Sequence, residues 1–169
     1  REQPFARYKP TLHQNDHHTY YTYNDLGQLC AEKNQSGLLT SYAYDVMGNV
    51  IKTTWTDSKT QNMRQQYRRY DGLGRVVQSL DQYAAALLNK PNLDSKAIEA
   101  IWQAHSQSYE YNAAGLLIST TNALQQKTSY FYDESARLVY TINPDGAVEE
   151  RRYTAFNQLE SIRKYSQLL

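Results

Sequence analysis

Tyr42-Ala-Tyr44-Asp45-Val46-Met47-Gly48-Asn49-Val50 decides the fold, because its pattern returns along the chain. Tyr21-Thr-Tyr23-Asn24-Asp25-Leu26-Gly27-Gln28-Leu29 has nearly the same form. Aligned on the second tyrosine, six copies appear: Tyr21-Thr-Tyr23, Tyr42-Ala-Tyr44, Arg68-Arg69-Tyr70, Tyr109-Glu-Tyr111, Tyr130-Phe-Tyr132 and Arg151-Arg152-Tyr153. Their second tyrosines are 21, 26, 41, 21 and 21 residues apart. Four positions further on stand Gly27, Gly48, Gly74, Gly115, Ala136 and Asn157, and two beyond those Leu29, Val50, Val76, Leu117, Leu138 and Leu159. A period of roughly 20 to 50 residues marks a repeat architecture.

One unit reads as a β-hairpin. In Tyr-x-Tyr both rings fall on one sheet face, because strand side chains alternate. Asp45, Asp71 and Asp133, with Asp25 in the first copy, are turn residues that bond their own backbone. The glycine supplies positive φ where the chain reverses. Asn157 tolerates that region, whereas Ala136 is a poorer occupant. A second turn must precede the next copy, and Asn34-Gln-Ser-Gly37 and Asn143-Pro144-Asp145-Gly146 supply turn chemistry. Arg137–Ile142 alternates, which predicts Leu138, Tyr140 and Ile142 on one face.

The irregular intervals carry information. The 26-residue step holds the polar run Thr56–Met63, which predicts an elongated turn. The 41-residue step contains Ala84–Leu88, Lys90-Pro91 and Asp94–His105. Within it Ile98, Ile101, Trp102 and His105 have helical spacing, with Asp94 as N-cap and Pro91 as a stop. The expected organisation is a lead-in or diverged repeat over 1–18, hairpins over 19–80, a helical insertion over 81–106 and hairpins over 107–169. The class is all-β: an antiparallel hairpin-repeat meander, a curved strip carrying a helical insertion laid on the sheet or a neighbour.

Bulk composition narrows the function. Eighteen Lys and Arg against seventeen Asp and Glu give a net charge of +1, so no nucleic-acid or anionic-membrane partner is expected. Sixteen tyrosines suit a pleated surface, packed on one side and wet at the ring tip. The single Cys30 allows neither an intrachain disulfide nor a cysteine zinc cluster. No apolar run reaches the roughly 18 residues of a membrane helix. Arg1–Lys9 is polar without the apolar core of a signal peptide, and the chain reads as an internal piece of something longer.

Candidate chemistry is sparse. His13, Asp16, His17 and His18 crowd one segment, but neighbouring histidines on a strand point apart, so no metal site is assigned. Asp133-Glu134 and Glu149-Glu150 are adjacent pairs that a strand separates, which leaves no catalytic carboxylate pair. No phosphate loop or nucleophile elbow appears, and neither an enzyme nor a cofactor is expected. Arg68, Arg69, Arg151 and Arg152, beside the tyrosine rows, form a candidate binding set for a glycan or cell-surface partner. The simpler reading pairs them with Glu149, Glu150 or Asp81, or leaves them solvated. The tyrosines join successive hairpins.

Tyr-x-Tyr-Asp-x-x-Gly-x-Leu/Val at this period resembles the rearrangement-hot-spot (RHS) or YD-repeat family, over roughly residues 19 to 165. The resemblance implies a β-strip that spirals into a hollow shell. In bacterial members, among them components of insecticidal toxin complexes and other polymorphic toxins, that shell holds a toxic carboxy-terminal domain. Teneurin-like animal proteins use a similar shell in adhesion. Some bacterial shells end in a self-cleaving core, which is not carried over, because Asn143–Gly146 falls where a turn is due. The implied function is a wall segment that encloses and shields a cargo polypeptide. The implied partners are neighbouring repeats and the cargo, and the implied setting is a secreted bacterial toxin.

Overall fold

A computed structural model describes residues 16–165. Twelve strands follow in chain order: β1 (Thr19–Tyr23), β2 (Leu29–Asn34), β3 (Leu38–Tyr44), β4 (Val50–Asp57), β5 (Met63–Tyr70), β6 (Val76–Leu80), β7 (Gln107–Tyr111), β8 (Leu117–Thr121), β9 (Lys127–Tyr132), β10 (Leu138–Ile142), β11 (Val148–Tyr153) and β12 (Leu159–Lys164). Between β6 and β7 lie helices α1 (Gln82–Leu88) and α2 (Ser95–His105). Each strand pairs with the next in sequence, so the sheet is an open antiparallel meander with β1 and β12 at its ends. Every connection among strands is local, as expected where each repeat meets only its neighbours.

The chain divides into two compact units. One comprises the described residues up to Tyr42 together with Thr54–Arg64. There the turn at Gly37 meets the next loop, with the Ser58 N–H donating to the Gly37 carbonyl at 3.0 Å. The other comprises Ala43–Thr53 and the described residues from Gln65 onward, including both helices. The extra residues of the long second interval go largely into β4 and β5, eight residues each, rather than into the turn.

The second unit holds the apolar core. Leu80, Ala84 and Trp102 are buried, with Tyr67, Leu88, Ile98 and Ile101 packed around them. Asp81 and Asp94 cap α1 and α2 by accepting from the N–H groups of Ala84 and Ala97. Capping of this kind satisfies donors that the first helical turn leaves free. Tyr67 faces Leu80 and Arg69 faces Gln78 across β5 and β6, whereas Tyr70 and Arg68 alternate to the other side. The helices therefore cover the sheet face opposite the motif tyrosines. Arg69 fixes α2 there, with Glu99 at 2.8 Å and its guanidinium 4.2 Å from the Trp102 ring centre. His105 closes the helical stripe edge-on to Tyr83.

A second small network ties the last strands. The Glu150 carboxylate, 7% exposed on β11, accepts from Tyr165 at 2.8 Å and Arg152 at 3.0 Å, with Tyr140 of β10 at 3.4 Å. Hydrogen bonds from Tyr165 and then Arg152 hold it below the usual carboxylate range.

Candidate functional site: the joint between hairpins

The turn after each tyrosine is built the same way. In Asp45–Gly48 the Gly48 N–H donates to the Asp45 carbonyl, and the Asp45 N–H bonds the Asn49 carbonyl beyond the turn. The Asp45 side chain accepts from the N–H groups of Met47 and Asn49. Asn24, Asp71, Asn112, Asp133 and Thr154 occupy the same position and likewise accept from the N–H four residues on. In the first copy that residue is Asn24, and Asp25 is one place further, at the tip. The closing residue has positive φ in all six copies, including Ala136 at 59° and Asn157 at 62°. These bonds hold the carboxyls below the ordinary aspartate value. The largest contribution is the Asn49 side chain for Asp45, the Arg75 N–H for Asp71 and the Arg137 side chain for Asp133.

The return strand then bulges. Thr22 faces Ala31 but Tyr23 faces Leu29, which leaves Cys30 unmatched. The same slip sets aside Val77, Ile118, Val139 and Glu160. A bulge reverses the face of every residue before it relative to those after it. This overturns one sequence expectation: Leu138 faces Tyr132 while Tyr140 faces Phe131, so Leu138 lies on the opposite face from Tyr140 and Ile142.

The second tyrosine of each of the last four hairpins reaches the carbonyl six residues after the preceding second tyrosine. Tyr70 donates to the Val50 carbonyl at 2.8 Å, Tyr111 to Val76 at 2.9 Å, Tyr132 to Leu117 at 2.8 Å and Tyr153 to Leu138 at 2.9 Å. Val76, Leu117 and Leu138 each lie just before the bulged residue, where the ladder is broken and a carbonyl needs a partner. Burial raises the pKa of Tyr111 and Tyr132, which keeps these hydroxyls protonated as donors. The first motif position meets a side chain nine residues after the preceding copy's tyrosine. Tyr42 bonds Glu32, Tyr109 pairs with Ser79, Tyr130 with Thr120, and Arg151 with Thr141.

A third contact escaped sequence reasoning. Arg75 pairs with Asp71 at 2.7 Å and lays its guanidinium 4.8 Å from the centre of Tyr111 in the next hairpin. Arg137 repeats this with Asp133 at 2.7 Å and Tyr153 at 5.0 Å. The signal was present as Asp-x-x-x-Arg in two copies, but Gln28, Asn49, Leu116 and Gln158 at the same place conceal it.

The remaining sequence candidates are dispersed. Tyr21 and Tyr23 lie exposed on β1. Arg68 donates to Gln66 at 2.6 Å, on the face opposite Arg69. Arg151 pairs with Glu149, on the face opposite Arg152. Neither arginine pair forms one surface. His13 lies outside the described residues, and among the described residues no group of three or more His, Cys, Asp or Glu is placed to hold a metal ion. No helix among them is long and apolar enough to cross a membrane.

A sheet of hairpins built on one plan and joined by tyrosine-to-carbonyl bonds defines a repeat-built structural protein. The teneurin YD-shell family model matches residues 6–162, and the chain belongs to that family. It is 32% identical, over 103 residues, to double-stranded DNA deaminase toxin A of Burkholderia cenocepacia (strain H111), a match over 60% of this chain and 6% of that protein. Among solved structures it resembles the TcdB2-TccC3 complex, with a TM-score of 0.52, 17% identity, and coverage of 87% of this chain and 8% of that one. The TcdB2-TccC3-Cdc42 complex gives a TM-score of 0.51 at 17% identity, with 87% and 8% covered. The chain thus spans less than a tenth of these relatives' length.

Proposed function

We propose that this chain is one arc of a YD-shell wall that encloses and shields a toxic cargo polypeptide in a secreted bacterial toxin. The observation carrying this reading is the joint. The same tyrosine-to-carbonyl bond recurs at four successive junctions of the second unit, so the sheet lengthens one hairpin at a time without changing its chemistry. Such a strip suits enclosure, and its side chains are committed to neighbours rather than gathered into a reactive cluster. We therefore read it as scaffold, with neighbouring repeats and the cargo as its partners. Similarity to a chain named as a deaminase toxin supports the toxin setting.

Limited proteolysis of the full-length parent protein, followed by mass spectrometry of what survives and co-purifies, tests the reading. A protected cargo segment that stays with the repeat region until denaturation is the expected result. A cargo segment cleaved as fast as an unfolded control would overturn it.

A further inference from the structure

At one place the rim of the sheet is not closed by a tight turn. Between β8 and β9, and between β10 and β11, the Asn122 N–H bonds the Gln126 carbonyl and the Asn143 N–H bonds the Ala147 carbonyl. Between β6 and β7 the chain instead leaves at Asp81, builds both helices and returns at Ser106. A cleft of about 300 Å³ remains there, lined by Gln66, Ser79, Asp81, His105, Gln107 and Tyr109, with residues 122–124 completing it. Gln66, Ser79, Gln107 and Tyr109 share the motif-tyrosine face, because Arg68 faces Ser79 and Ser79 faces Gln107.

Much of the polar capacity in this cleft is uncommitted. Among the described residues the Gln107 amide and the His105 ring nitrogens have no hydrogen-bond partner. One Asp81 oxygen accepts from the Ala84 N–H at 3.0 Å, and the other is free. The Gln66 oxygen accepts from Arg68 at 2.6 Å, which leaves its NH2 group. The Ser79 and Tyr109 hydroxyls pair at 3.1 Å with one as donor, so the other O–H remains to be donated. Leu124, 77% exposed, adds an apolar border.

We propose that this cleft binds one neutral sugar ring of hexose size. Its volume stands at the lower end of small-molecule sites, about 300–1,000 Å³, which suits a single ring rather than a chain of them. Sugar hydroxyls each donate and accept, and so do the amides and the hydroxyl pair, while Asp81 only accepts. A cation would satisfy Asp81 but leave both amide NH2 groups without an acceptor. An anion would stand against Asp81. The Tyr109 ring and Leu124 offer apolar surface to the C–H face of the sugar. The site is separate from the arginine pairs and does not depend on the shell reading.

The test is an NMR titration of the full chain with the methyl glycosides of glucose, galactose and mannose, and with N-acetylglucosamine. Saturable binding of at least one of these, shifting amides at 79–81, 105–109 and 122–124, is expected. Asp81→Asn keeps an oxygen for the α1 cap and should weaken binding about ten-fold, and Gln107→Ala about five-fold. Lys96→Ala, on the exposed side of α2, should leave it unchanged. If circular dichroism shows helix loss in Asp81→Asn, the Gln107 variant alone decides. No binding of any of the four up to about 50 mM would overturn the proposal. So would shifts confined to other residues, or affinity indifferent to Gln107→Ala. Putrescine displacing the sugar from the same amides would overturn it in favour of a cationic ligand.

Discussion

A single hydroxyl group separates the two tyrosines of the motif in function. Tyr132 donates to the Leu117 backbone carbonyl at 2.8 Å, whereas Tyr130 meets the Thr120 hydroxyl at 3.3 Å. A carbonyl beside a bulge has no second partner to turn to, while a threonine hydroxyl can rotate towards water. Tyr132→Phe is therefore expected to cost about 1–2 kcal/mol, and Tyr130→Phe less than about 0.5 kcal/mol, by urea denaturation. Equal losses would show that the carbonyl contact has no special weight. Ala136 gives the complementary test. It holds φ at 59°, a conformation that costs an L-residue about 1–2 kcal/mol and glycine almost nothing. Ala136→Gly should raise stability by about 1 kcal/mol, whereas Gly48→Ala, at φ 86°, should lower it by a similar amount. Thermal melts of both variants would check the opposite signs.

At the scale of elements, the helical pair depends on one tryptophan more than on its ion pair. Trp102 is 5% exposed in the core beside Leu80 and Ala84. Trp102→Ala should destabilise by about 3–5 kcal/mol. Arg69→Ala removes stacking and a half-exposed pair with Glu99, and should cost about 1 kcal/mol. Chemical denaturation followed by tryptophan fluorescence in the Arg69 variant, and by circular dichroism in both, gives the comparison. The helices themselves were legible, since Ile98, Ile101 and Trp102 keep helical spacing and Asp94 caps as expected. The hairpins were legible because glycine and Asx residues carry their conformational role in their chemistry. The bulge was not: Cys30, Val77, Ile118, Val139 and Glu160 share no side-chain property, because a bulge is a backbone event. The faces of β10 were misread for that reason. The tyrosine acceptors stayed hidden too, since a carbonyl leaves no mark on residue identity. The column Leu29, Val50, Val76, Leu117, Leu138, Leu159 was visible as apolar, but nothing in it marked the backbone carbonyls of Val50, Val76, Leu117 and Leu138 as the acceptors of the next hairpin's tyrosine.

Across the whole molecule, repetition multiplies any term that each hairpin contains. Asp45, Asp71 and Asp133 are all held below their ordinary value by turn bonds, and Glu110 and Glu150 by side-chain donors, led by Ser119 and Tyr165. A carboxylate held low in the folded state binds fewer protons there than when unfolded. Its contribution is whole above about pH 4 to 4.5 and is lost as pH falls through the depressed folded values. Tyr111 and Tyr132 are shifted upward by burial, so their contribution is whole below about pH 10 and is lost as pH rises through the raised folded values. Urea midpoints should therefore form a plateau between about pH 5 and pH 10 and fall on both sides. The chain supplies its own control, because Asn24 and Asn112 fill the same turn position without a titrating group. Replacing Asp71 and Asp133 by asparagine keeps the acceptor oxygen for the backbone while removing the charge. The double variant should lose some stability at neutral pH, through Arg75 and Arg137, and show a shallower acid limb. An acid limb as steep as that of the parent sequence would mean that Asp71 and Asp133 do not set the acid limit, which then falls to Asp45, Asp57, Glu99, Glu110 and Glu150.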